Sequence, residues 1–393
     1  MLAFATSPYI VTTWIGGPMA DSILAGPGFR WGFGIFCIIT PVVVVPLCLL
    51  FLWGDRKAKK AGVIPNRHTN ITLKSIKDYC IEVDLFGLLL LAAGMSLFLL
   101  GLSIWSYQAQ QWRSPMIICM LVFGALLIIA FVLYEKYLAP VTFIKYELLA
   151  DRTVFFAGVM FVFVFFNSAV WGSYFVSMLL VVWNQSVTET TYISNIYRVG
   201  SCFAAIPIGY AIRYTGRFKW VALYYGLPLM MLGVGLMIKF RQPDSSIGYV
   251  IMTQIFVAFA GGPLVIAGEM AMMAPSDHQY IATIIAILDL FGSIGTALGS
   301  AVSAAIWTGT FLPALRKHLP ATAPVERIYS SLYIQLAYPV GNPTRVGISL
   351  AYGEAQRYML ITSVCLLAGA FIAVALWRDI KIKDIKQVRG TVA

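Results

Sequence analysis

The chain has 393 residues, 60% of them hydrophobic and 11% charged, with a formal net charge of +11. Soluble domains carry about 25% charged residues, and a water-soluble fold of this size cannot withdraw so much apolar surface from water. A soluble enzyme and a soluble nucleic-acid binder are thereby set aside, and the mean hydropathy of +0.81 points to lipid as the solvent.

Apolar runs of spanning length predict ten membrane helices, at 2–24, 31–53, 84–106, 115–137, 153–182, 190–212, 219–239, 248–273, 280–306 and 357–377. About 20 residues at ~1.5 Å rise cross the hydrocarbon core. The expected class is all-α, because an open sheet in lipid leaves backbone groups unpaired. The first span holds WIGGPMADSIL, from Trp14, with Gly16-Gly17-Pro18 inside apolar sequence. Pro18 is expected to bend that helix, with Asp21 near the outer surface. The segment has no basic leading region, so no cleavable signal peptide is expected.

After the second span, segment 54–83 carries seven Lys and Arg residues. Lys57-Ala-Lys-Lys is expected just below the membrane, attracting anionic lipid headgroups at ~1 kcal/mol per charge. Ile71 to Glu82 is predicted as an amphipathic helix on the inner face, with Leu73, Ile76, Cys80 and Val83 on one stripe. The fifth span is long enough to begin with a tilted or interfacial turn. Basic residues also gather between Lys136 and Arg152, between Arg213 and Lys219, and in the tail from Arg378. All four basic segments fall on one side if ten spans alternate, which makes that side cytoplasmic. Asn70-Ile-Thr then lies inside, away from glycosylation, and Asn184-Gln-Ser lies outside but close to the membrane.

The outer connection 307–356 is far longer than a turn requires. Pro313, Pro320 and Pro324 punctuate it, and Val325 to Leu336 is predicted as a short helix with Val325, Ile328, Leu332 and Leu336 on one face. Tyr-Pro-Val-Gly-Asn-Pro reads as a turn, and Thr344 to Tyr358 leads into the last span. Tyr329, Tyr333, Tyr338 and Tyr352, with Arg345, offer aromatic faces and a cation near the outer mouth. Interfacial anchoring of the tyrosines is the competing reading.

Ionisable and polar groups inside spans are costly and are functional candidates. They are Asn167 in span five, Arg198 in the outer half of span six, Glu269 toward the inner end of span eight, and Asp289 in span nine. A carboxylate held out of water can exchange a proton near neutral pH, so Glu269 and Asp289 are candidates for proton-linked or gating roles. Arg198 is a candidate partner for a carboxylate or an anionic substrate group. Each has a structural alternative: Glu269 reaching the inner headgroups, or Asp289 packed among the close-packing positions Gly292, Gly295 and Gly299. The six cysteines and three histidines are scattered, without CxxC, so neither disulfides nor a metal site is expected. No Walker motif is present, and no catalytic constellation or cofactor is expected.

Ile208 to Trp220, IGYAIRYTGRFKW, falls on a cytoplasmic turn and resembles the short signature of the major facilitator superfamily. Gly209, Gly216, Arg217 and Lys219 match, while Arg213 stands where that family usually has Asp. GFRWGFGIF (28–36), ISNIYRVGSCF (193–203), GPLVIAGEMAMMAPSDHQYIA (262–282), SAVSAAIWTGTFLPALRKHLP (300–320) and LAYPVGNPTRVGISLAYGEAQRYML (336–360) follow in order. Together they resemble the fungal siderophore–iron transporter family, a fourteen-span branch of that superfamily.

The resemblance implies a major-facilitator-like bundle and proton-coupled import of ferric siderophores, in a plasma or endosomal membrane. The partners implied are an already chelated iron complex, protons and lipids, with no nucleic acid. It assigns 1–53 to the last two helices of an N-terminal half, 84–137 to an extra helix pair, 138–377 to a six-helix C-terminal half and 378–393 to a cytoplasmic tail. The chain then resembles an N-terminally incomplete member, expected to transport poorly by itself. Two alternatives stay open. A fourteen-span drug–proton antiporter has Gly-x-x-x-Gly-Pro-x-x-Gly-Gly in its fifth span; Gly17-Pro18 match, Thr13 replaces the first Gly, and Met-Ala-Asp-Ser follows. The other is a non-transporting remnant or an assembly partner of an intact transporter.

Overall fold

A computed structural model describes residues 8–62, 73–82, 84–105, 108, 110–140, 151–275 and 281–381, with only the backbone at 73, 74, 76, 82 and 281–283. The Asn70 sequon, Val83, the side-chain stripe of Leu73 and Ile76, most of the Lys136–Arg152 connection and most of the basic tail lie outside the described residues. All regular structure among them is helical.

The first helices are α1 (Tyr9–Ala25) and α2 (Phe29–Lys60), joined where Gly28 takes φ 84°. Pro18 lies inside α1, and Pro41 and Pro46 inside α2. A short α3 (Leu73–Glu82) precedes α4 (Leu85–Ile104), which Asp84 caps by accepting from the Gly87 N–H. With α5 (Pro115–Tyr137) it forms a hairpin. Gly124 brings the two backbones together, since a Cβ there would lie 2.7 Å from the Phe98 nitrogen. Lipid offers no hydrophobic drive between helices, so such small residues set how closely they pack.

The remaining helices form a bundle. Asp151 caps α6 (Arg152–Gly172), and the chain breaks at Ser173 and Tyr174, where φ is 57°, before α7 (Phe175–Val182). The irregularity expected at the start of the fifth span is therefore near its outer end. A Ser186/Glu189 capping box opens α8 (Val187–Thr215), and Gly216 at φ 71° ends it. A π-helical turn (Val221–Gly226) leads into α9 (Leu227–Phe240), followed by α10 (Ile247–Met273) and α11 (Ile281–His318). Two one-turn helices, α12 (Val325–Ser330) and α13 (Leu332–Ala337), precede α14 (Pro343–Ala375).

Eight helical stretches among the described residues are long and apolar enough to cross a membrane. Two of the ten expected spans are not among them. The described part of α1 is 17 residues long. The 29-residue α8 is diluted by Thr190, Ser194, Asn195, Arg198 and Ser201.

The outer connection needs a larger correction. The 307–356 segment is mostly helix, because α11 runs to His318 and α14 starts at Pro343. What remains between them is 319–342, which itself carries α12 and α13. The helix expected over Val325–Leu336 is broken at Ser331, which is extended at φ −143°. Gln335 is buried there, and its amide donates to the Ile328 carbonyl across the break.

In the bundle, α6 is central and packs on α10, α11 and α14; α8 packs on α10 and α1, and the α4–α5 hairpin leans on α11. One core cluster, with Met160, Phe161, Leu264, Leu360 and Leu367, joins α6, α10 and α14. A second gathers Trp307, Phe311, Tyr352 and Met359 beneath α12 and α13.

Candidate functional site

The face shared by α6 and α11 holds a cavity of about 430 Å³. Asp289, Gly292, Ser293 and Thr296 line it from α11, opposite Phe161 and Phe165 of α6. Spacings of four and three residues put Asp289, Ser293 and Thr296 on one helical stripe. Part of that polarity is satisfied locally, as the Thr296 hydroxyl donates to the Gly292 carbonyl at 3.0 Å. Asp289 itself is exposed on this face. Glu269, half-buried on α10, is near enough for the two carboxylates to feel each other's charge.

The glycines behind them differ in role. A Cβ at Gly295 or Gly299 would meet the α6 backbone, at 2.4 Å from the Val162 oxygen and 2.7 Å from the Phe166 oxygen. At Gly292 it would meet only the Phe165 ring, at 3.5 Å. Gly295 and Gly299 set the helix crossing, and Gly292 leaves the cavity wall open.

Arg198 is exposed on α8. Its neighbour Tyr197 turns inward, against Gly261 of α10 and 5.4 Å from the Trp171 ring, and Ser201 donates to the Ala258 carbonyl. The guanidinium therefore stands off the packed face.

Asn167 has a different place from the one its polarity suggested. It is fully buried, and its amide donates to the Ser363 carbonyl and hydroxyl oxygens, each at 2.7 Å. The Ser363 hydroxyl donates back to the Asn167 carbonyl. Its donors are spent on joining α6 to α14.

The outer group also divides. Arg345 is 3% exposed. Its guanidinium donates to the carbonyls of Val181, Gln335, Tyr338 and Leu180, at 2.9, 2.6, 3.2 and 3.3 Å. A cation so occupied ties α7, α13 and α14 together and is not offered at the mouth. Tyr352 is buried too, its hydroxyl donating to Gln335 and its ring edge-on to Trp307 and Phe311. Tyr329 and Tyr338 are half-buried, and Tyr333 is 85% exposed.

Where α8 turns toward α9, Gly209 is half-buried and Gly216 makes the left-handed stop that only a residue without Cβ takes freely. Lys219 donates to the carbonyls of Ala375 and Trp377, and Arg217 pairs with Asp379 at 3.2 Å. Arg213 is exposed, and of the turn's basic side chains Lys219 is the one held by the carbonyl end of α14, where a helix dipole favours cations.

Three features have little sequence signal. Thr188 of α8 donates to Asp21 of α1, with Trp14 and Tyr192 in ring contact at 5.3 Å. Glu354 of α14 accepts from Lys317 and pairs with His318 at the end of α11. Arg241 is buried over the Phe175 ring and donates to the Trp171 carbonyl at the break between α6 and α7. Each partner lies tens of residues away, beyond the reach of helical spacing; only the charge of Arg241 at the end of a span was visible.

A family model described as fungal trichothecene efflux pump (TRI12) matches residues 1–323. The chain is 52% identical to "MFS siderochrome iron transporter 1" of Ajellomyces capsulatus, over 100% of this chain and 67% of that protein. It is 40% identical to "Siderophore iron transporter mirB" of Emericella nidulans, over 99% of this chain and 65% of that protein. It is 42% identical to "MFS siderochrome iron transporter D" of Aspergillus fumigatus, over 97% and 64%. The chain spans about two thirds of the length of these curated relatives.

Proposed function

The chain belongs to the fungal siderophore–iron transporters of the major facilitator superfamily, and we propose that it serves the uptake of ferric siderophores through a plasma or vesicular membrane, driven by the proton gradient. One observation carries the substrate class: identity of 52% over the full chain to a protein named for siderochrome iron transport. A ferric siderophore fits the chemistry of the cavity face. Its iron is already coordinated, so recognition needs shape, aromatic surface and hydrogen bonds rather than protein ligands. Phe161 and Phe165 supply apolar wall, and Ser293 and Thr296 supply hydroxyls.

The proton side rests on Glu269 and Asp289. They are carboxylates on the neighbouring helices α10 and α11, and a carboxylate is a group that can carry a proton. Arg198, standing off the packed face, is suited to an anionic group of the substrate.

The match to an efflux-pump family model favours a second reading, antiport of an organic compound outward. Labelled ferric siderophore, given to cells lacking other importers and expressing this protein, distinguishes the two. Saturable uptake abolished by a protonophore is expected. Absence of uptake, with faster loss of a preloaded organic compound, would overturn import in favour of efflux.

A further inference from the structure

A second cleft, of about 290 Å³, lies where α3 meets the cytoplasmic ends of α4 and α5. Its polar lining comes from Lys77, Asp84 and Tyr134, and its apolar lining includes Leu85, Phe86 and Leu89. Asp84 is 3% exposed. One carboxylate oxygen accepts from the Gly87 N–H, while the other has no hydrogen-bond partner. The Tyr134 phenol hydrogen-bonds the Asp84 carboxylate, and the Tyr134 ring is edge-on to Phe86 at 5.0 Å. Lys77 is exposed and makes no ion pair among the described residues. Below this polar rim, Leu85, Phe86 and Leu89 turn outward along α4, with 44%, 58% and 59% of their surface exposed.

A cation and a buried carboxylate, one of whose oxygens is unpartnered, share one small cleft at the membrane's inner edge, above an apolar strip that faces lipid. A buried carboxylate oxygen left unpaired is costly. A ligand carrying an anion and an amine a few bonds apart, with long apolar chains, complements all three features. We propose that this cleft binds an inner-leaflet phospholipid of the phosphatidylethanolamine type. Its phosphate meets Lys77, its ammonium group is drawn to the wall formed by Asp84 and Tyr134, and an acyl chain lies along Leu85, Phe86 and Leu89. The lipid wedges α3 against the α4–α5 hairpin. It is unrelated to the transported substrate, so the site stands or falls independently of the transport reading.

The test is native mass spectrometry of the purified 393-residue chain, released from nanodiscs holding equal phosphatidylethanolamine, phosphatidylcholine and phosphatidylglycerol. Phosphatidylethanolamine adducts are expected to survive collisional activation that strips the other two. Lys77→Gln should lower their retention about fivefold, in line with one headgroup contact. Asp84→Asn should remove the preference over phosphatidylcholine while keeping the oxygen that caps α4. If Asp84→Asn unfolds the hairpin, the exposed Lys77→Gln variant carries the test alone. Equal retention of the three lipids overturns the proposal, as does phosphatidylethanolamine retention unchanged by Lys77→Gln. A preference for phosphatidylglycerol that follows Lys77 alone overturns it in favour of simple charge attraction.

Discussion

Arg345 and Asp289 are both charged residues of the bundle, and the structure treats them oppositely. Arg345 is buried with its guanidinium spread over four backbone carbonyls. Replacing it with Met keeps volume but leaves those oxygens without a donor, at a cost of about 2–4 kcal/mol. Thermal unfolding in detergent should show an earlier transition, and an unchanged transition would remove its structural role. Asp289 faces open space beside Ser293 and Phe165. Asp289→Asn keeps shape and polarity but cannot hold a proton in exchange. We expect the variant to bind siderophore while its gradient-driven uptake falls to the level of protonophore-treated cells. Normal gradient dependence would exclude Asp289 as the coupling residue.

Between elements, contact is decided by single missing methyl groups. The crossing of α6 and α11 depends on Gly295 and Gly299 lying against the α6 carbonyls. Gly295→Ala places a carbon 2.4 Å from the Val162 oxygen, which belongs to backbone and cannot rotate away. That should destabilise the bundle by about 1–3 kcal/mol. Gly292→Ala, one turn away and meeting only a ring at 3.5 Å, should stay within about 0.5 kcal/mol. Parallel thermal melts of the two variants check the contrast; equal shifts would mean that the crossing tolerates a wider separation. The amphipathic pattern of 325–336 suggested one helix, and the structure has two, because Gln335 must reach both Ile328 and Tyr352. Periodicity records which residues are apolar, and it is blind to a polar side chain with two distant partners.

Across the whole molecule, the contact of α1 with α8 joins the first helix to the bundle. Gly17 is buried against Thr188, and Asp21 accepts from the Thr188 hydroxyl. The Gly-Gly-Pro stretch that stands out in the sequence is thus where one helix is thin enough to lie on another. A disulfide between Gly17→Cys and Thr188→Cys, in a chain freed of its own cysteines, should form readily on mild oxidation. In an uptake assay it should block transport until a reductant is added, if these helix ends must part to admit substrate. Uptake unaffected by the crosslink would show that this contact does not open during transport.

The amino-acid sequence by itself determined that the chain lives in lipid, that it is helical, which end of each helix carries the basic residues, and which family it resembles. These follow from composition and from local periodicity, because a bilayer forces backbone groups to be satisfied within each helix. The tertiary structure decided which polar groups were spent on holding the bundle together. Asn167 and Arg345 look as functional as Asp289 in the sequence, yet Asn167 is joined to Ser363 and Arg345 to carbonyls of α7 and α13. Hydrogen bonds between helices depend on which faces meet. That is settled by close-packing glycines and side-chain volumes far apart along the chain, so only the folded bundle separates a structural charge from an available one.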